Sequence, residues 1–150
     1  MPDLVERVDV DAPPEQVWAA LTDWERQGDW MLLTTVRTVD GPAQRLHGRL
    51  AARTGVPLPG GRRLGVLDTM VITRWDPPRR VEVQHTGRLI RGPGTFEVLP
   101  RGEHSTVVVS ETWYPPYGYL GLAGFLLARP FVVRGLRTSL QRFARLAGTA

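Results

Sequence analysis

The chain has 150 residues, a formal net charge of +4, 42% hydrophobic and 23% charged residues, and no cysteine. Such a length and balance fit one globular domain with a real core and exclude a disordered chain. The absence of cysteine excludes disulfides, thiolate metal sites and a thiol nucleophile.

The positive charge is carried by arginine alone, with no lysine anywhere. The arginines are scattered and never interleave with aromatics in a basic motif, so nucleic acid is not the expected partner. One asymmetry stands out: no Asp or Glu follows Glu111, whereas Arg129, Arg134, Arg137, Arg142 and Arg145 do. A solvated helix face explains such a run, and an anionic partner or membrane surface is the alternative. Met1-Pro2-Asp3-Leu4 lacks the basic and apolar segments of a secretory signal. The apolar run 117–133 contains Arg129 and Pro130 and falls short of the roughly 20 residues that span a bilayer. The expected location is cytoplasmic.

In chain order, residues 4–10 alternate apolar and polar positions and read as a strand. Residues 11–23 follow as a short helix, with proline in its first turn, Glu15 favouring the dipole, and Val17, Trp18 and Leu21 as its apolar face. A second short helix is expected over 24–30. Strands are expected over 31–39 and 45–52, then a Gly/Pro-rich loop over 54–61. Four strands follow over 64–75, 79–86, 91–99 and 106–113, joined by short turns that favour antiparallel pairing. Gly60-Gly61 and Gly92-Pro93-Gly94 read as turn glycines, since neither opens a helix in a phosphate-binding unit. The last segment is helical. From Arg134 onward, Val133, Leu136, Leu140, Phe143, Ala144 and Ala147 fall on one side and the arginines on the other. Residues 119–133 are apolar all round, so that part must be buried, dimerised, or turned to lipid or ligand. Pro130 removes one helix hydrogen bond, and a kink or break is expected there.

Strand, two short helices, about six strands and a long helix make an α+β fold, one domain over 1–150. A curved antiparallel sheet of about 6–7 strands wraps the C-terminal helix, a helix-grip arrangement. The motifs agree. Val8-Asp9-Val10-Asp11-Ala12-Pro13-Pro14-Glu15-Gln16-Val17-Trp18, Asp23-Trp24 through Trp30, Trp75-Asp76-Pro77-Pro78, and Glu111-Thr112-Trp113 before a proline turn resemble the START-like or Bet v 1-like superfamily (SRPBCC), the polyketide cyclase/dehydrase and lipid transport group. The resemblance covers almost the whole chain. It implies a cavity between sheet and long helix that holds a lipid, sterol, polyketide, hormone or aromatic compound, and in some members aromatase/cyclase chemistry. Fold alone does not assign the activity.

Strand parity nominates the polar groups that enter that cavity. Val81, Val83 and His85 share a face, and the apolar pair takes His85 inward. Val66, Asp68, Met70 and Ile72 share a face against Leu67, Thr69, Val71 and Trp75; both sets are apolar, so the parity is open. Val107, Val109, Glu111 and Trp113 share a face. If these faces point inward, Asp68, His85 and Glu111 are the candidate catalytic acid/base residues, for which burial would raise a carboxyl pKa and His would titrate near neutrality. The opposing reading is a satisfied core His85, with Glu111 paired to an arginine such as Arg74 or Arg88. The candidate ligand lining is Trp30, Met70, Ile72, Val83, His85, Phe96, Trp113, Tyr117, Tyr119, Leu122, Phe125 and Leu126. His47 and His104 lie on or near loops and no HxH or HExxH spacing exists, so no metal and no cofactor are expected. Three functions stay open: a carrier of a hydrophobic small molecule, a polyketide cyclase/dehydratase-like enzyme, and a protein that dimerises or meets a membrane surface through residues 119–133.

Overall fold

The computed structural model describes residues 3–148. A strand β1 (Asp3–Val10) leads into helix α1 (Pro14–Leu21) and a 3-10 helix (Trp24–Asp29). Six strands follow: β2 (Thr34–Val39), β3 (Arg49–Pro57), β4 (Arg63–Asp76), β5 (Arg80–Thr86), β6 (Arg91–Arg101) and β7 (His104–Thr112). The last described helix is α2 (Gly118–Ala147). All seven strands form one antiparallel sheet in the order β1-β7-β6-β5-β4-β3-β2. The expected α+β helix-grip architecture is therefore present: a curved half-barrel of strands, a long C-terminal helix, and short helices after the first strand.

Several local expectations needed correction. Residues 31–33 are not strand but a turn, with Leu33 at φ 55°. Residues 54–57 are not loop but the end of β3, paired with β4 as far as Pro57↔Arg63. Gly92 and Gly94 lie within β6, not in a turn. Pro130 also fails to break α2, which is continuous as a helix from Gly118 to Ala147. Pro130 and Leu126 are both solvent-exposed, so the Leu126 carbonyl that loses its partner can be hydrated.

The concave face of the sheet is unequally filled. At one end Val10, Val17, Leu21, Trp24, Trp30, Ile72, Val81, Val98, Val107, Leu140 and Phe143 make a dry core. Trp30 meets Phe143 edge-on at 5.0 Å, and Trp18 meets Trp75 at 5.1 Å. Trp75 reaches this face, along with Ile72, because a register shift between Ile72 and Arg74 resets the alternation of β4.

The C-terminal half of α2 is fastened to this end along β1. Gln16 Nε2 donates to the Ala147 carbonyl (2.9 Å), the Leu32 amide donates to Ser139 Oγ (3.0 Å), and Arg137 Nε pairs with Glu6 Oε2 (2.9 Å). Its face of Leu136, Leu140, Phe143 and Ala147 is the one that the periodicity of the sequence marks. The N-terminal half runs on past Asp3, the start of β1, where Arg129 Nη2 reaches the Asp3 carbonyl at 3.5 Å.

Candidate functional site

At the other end of the concave face three ionisable side chains meet. Register explains why. His85 on β5 stands opposite Met70 on β4 and Gly92 on β6. Asp68 lies one pleat beyond Met70 on the same face, a diagonal neighbour within reach of an imidazole. Glu111 lies on β7, opposite Gly94, with the whole of β6 between it and His85. Gly94 has no side chain to fill that gap. A β-carbon there would sit 3.0 Å from His85 Nε2 and 3.2 Å from Glu111 Oε1.

His85 Nδ1 is 2.7 Å from Asp68 Oδ1 in a hydrogen bond. Nε2 is 3.0 Å from Glu111 Oε2, an ion-pair contact whose direction falls outside hydrogen-bond geometry and leaves Nε2 without a formed hydrogen bond. The side chains are graded in exposure: 6% for His85, 15% for Asp68 and 31% for Glu111. The imidazole is thus enclosed, and Glu111 is the member that faces open space.

Burial works against the charged imidazole, but the hydrogen bond to Asp68 and the contact with Glu111 outweigh it and push the His85 pKa from 6.5 up to about 10. At neutral pH the ring carries both protons: Nδ1–H donates to Asp68, and Nε2–H stands within ion-pair distance of Glu111. The expectation of a histidine titrating near neutrality needed correction: its pKa is pushed up to about 10. No group of side chains suited to a metal occurs among the described residues. Arg74, one arginine considered for Glu111, pairs instead with Glu82 (3.3 Å) and Asp76 (3.7 Å).

The apolar surroundings of this triad are incompletely covered. Met70, Val83 and Phe96 point to the concave face and pack on the core, yet each is only partly buried. Trp113, two residues beyond Glu111, and Leu122 on α2 are also partly buried. Trp113 donates its indole N–H to the Leu89 carbonyl (3.0 Å) and holds Phe125 edge-on at 4.5 Å. Phe125 is thereby the inward anchor of the first half of α2.

The remaining candidates fall elsewhere. Trp30 and Ile72 are enclosed in the dry core and offer no free surface. Tyr117, Tyr119 and Leu126 are exposed. Two residues escaped the sequence reading: Gly94, whose missing side chain joins His85 to Glu111, and Leu4, which is buried opposite Glu111 in the register. A glycine inside a strand run is the signal that could have found the first, since it marks a close approach.

Fold and site define a class before any particular family: a half-barrel gripping a helix, with polar groups at the open end of an otherwise apolar concave face. Residues 1–148 match the family described as Polyketide cyclase / dehydrase and lipid transport, and the chain belongs to it. Solved structures of the same fold include the protein TTHA0849 from Thermus thermophilus (19% identity, 97% of each chain, TM-score 0.74). Others are CV1439 from Chromobacterium violaceum (14% identity, 97% of this chain and 96% of that one, TM-score 0.70) and DR_A0006 from Deinococcus radiodurans (20% identity, 99% and 98%, TM-score 0.68). No curated protein matches the chain.

Proposed function

We propose that the protein binds a hydrophobic small molecule of lipid, polyketide or aromatic type at the open end of the concave face, beneath the first half of α2. The observation that carries this reading is the set of inward, partly exposed apolar side chains, Met70, Val83 and Phe96, around a triad centred on the buried His85. Membership of the family supports it. Apolar walls supply the affinity, at about 25 cal/mol per Å² of ligand surface removed from water. The triad supplies orientation: Glu111, the most exposed member, accepts a hydrogen bond from a hydroxyl of the ligand, while His85, 3.0 Å away, holds that side chain in place. Asp68 fixes the ring from behind.

Titration with the fluorescent probe 1-anilinonaphthalene-8-sulfonate tests this. Binding should be saturable at one site in the native protein and lost in Val83→Trp, which fills the space. Equal binding by both proteins would sink the reading.

One observation favours a second reading, acid/base catalysis of the cyclase or dehydratase kind. Glu111 is a carboxylate beside a fixed cation and at an apolar surface, where it can take a proton from an activated carbon. With its pKa at about 10, His85 serves as a fixed positive charge rather than a proton shuttle. The test is turnover of a poly-β-ketone substrate analogue. Loss of turnover with retained binding in Glu111→Gln supports catalysis, and unchanged turnover excludes it.

A further inference from the structure

The outward stripe of α2 changes chemistry halfway along. Leu120, Leu127 and Phe131 fall on one line of the helix, opposite the face that packs on the sheet, and are 78%, 78% and 76% exposed. Gly124 continues that line without a side chain. Further along it stand Arg134, Arg142 and Arg145. Among the described residues none of these three arginines pairs with a carboxylate, since the helix carries no acidic residue and the ion pair of α2 is Arg137 with Glu6. Tyr119, exposed to 92%, flanks the apolar half.

We propose that this stripe docks the protein on the surface of an anionic lipid bilayer, with Leu120, Leu127 and Phe131 in the headgroup–acyl boundary and Arg134, Arg142 and Arg145 on lipid phosphates. A helix with an apolar segment followed by cations on the same side matches both layers of such a surface. Aromatic rings such as Tyr119 suit the boundary between them.

Two other occupants fit less well. A second copy of the chain related by a two-fold axis would set two acid-free, Arg-rich helices against each other, a like-charge contact. A membrane span fits α2 by length and composition alone. However, the uninterrupted apolar part, residues 118–128, ends at Arg129, which reaches the Asp3 carbonyl, and extends only roughly 16 Å at about 1.5 Å per residue, about half a hydrocarbon layer. The docked surface would place the open end of the concave face beside the lipid, because Phe125, on the inner side of the same helix turns, packs on Trp113. The inference does not depend on what occupies that end.

Flotation of the full chain with phosphatidylcholine vesicles, with and without phosphatidylglycerol, tests the docking. The protein should float with the anionic vesicles and not with the neutral ones, and strong salt should release it. The triple variant Leu120→Ser, Leu127→Ser, Phe131→Ser should lower the partition coefficient by about tenfold or more. The triple variant Arg134→Glu, Arg142→Glu, Arg145→Glu should lower it by about a hundredfold. All six side chains lie away from the packed face, and unchanged circular dichroism confirms that each variant folds. Failure of the native protein to float with anionic vesicles overturns the proposal, and that result needs no variant. So does a dimer by light scattering that the Leu/Phe variant dissociates. Loss of 1-anilinonaphthalene-8-sulfonate binding without loss of flotation would overturn the ligand reading alone.

Discussion

Gly94 stands where any side chain would press on His85: a β-carbon there would lie 3.0 Å from Nε2. That one absence lets a histidine on β5 touch a glutamate on β7 across an intervening strand. Gly94→Val should therefore separate His85 from Glu111. Overpacking of this kind costs about 1–3 kcal/mol. Denaturant unfolding should show that loss, and the imidazole nitrogen shifts of His85 should show its pKa falling below that of the native protein. An unchanged His85 pKa would mean that Glu111 does not hold the proton.

Stability should depend on pH through His85. Its folded pKa, about 10, lies above its ordinary 6.5, so the folded state binds the proton more tightly than the unfolded chain. The resulting stabilisation is complete below pH 6.5 and disappears as pH rises from 6.5 through about 10. Native protein should lose a few kcal/mol of unfolding free energy over that window, at about 1.36 kcal/mol per unit of pKa difference. His85→Gln should flatten the profile in that window. A native profile already flat between about pH 7 and 10 would contradict the assignment.

The two halves of α2 should respond differently to truncation. Leu140 is buried, and Leu140→Ala should cost about 2–5 kcal/mol. Leu127 is exposed, and Leu127→Ala should stay within about 0.5 kcal/mol of the native protein. Chemical denaturation of the isolated chain measures both. A large cost at Leu127 would show that this half is buried in solution.

Much of this was legible in the sequence, for reasons that differ by residue. His85 could be placed inward because Val81 and Val83 share its parity on a short strand with one polar face. The clamp face of Leu136, Leu140 and Phe143 is likewise a plain helical period of about 3.6 residues. Asp68 could not be placed, because β4 offers apolar residues on both sides. The register shift between Ile72 and Arg74 then brings Trp75 to the same face as Ile72, which no strict alternation allows. The contact between His85 and Glu111 depends on Gly94, and a glycine beside Pro93 and close to Gly92 reads locally as a turn. Pro130 misled in the opposite direction: α2 runs on through it, and both Pro130 and Leu126, whose carbonyl loses its partner, are solvent-exposed residues.

The proposed function requires that the open end of the concave face bind an apolar ligand oriented by Glu111. Isothermal titration calorimetry with 2-naphthol, an aromatic ring system carrying one hydroxyl, measures it directly in native protein and in Glu111→Gln. Expected are one site per chain, a negative heat-capacity change from buried apolar surface, and affinity about tenfold weaker in the variant, the worth of one hydrogen bond to a charged group. No binding by either protein, or equal affinity in both, would contradict it.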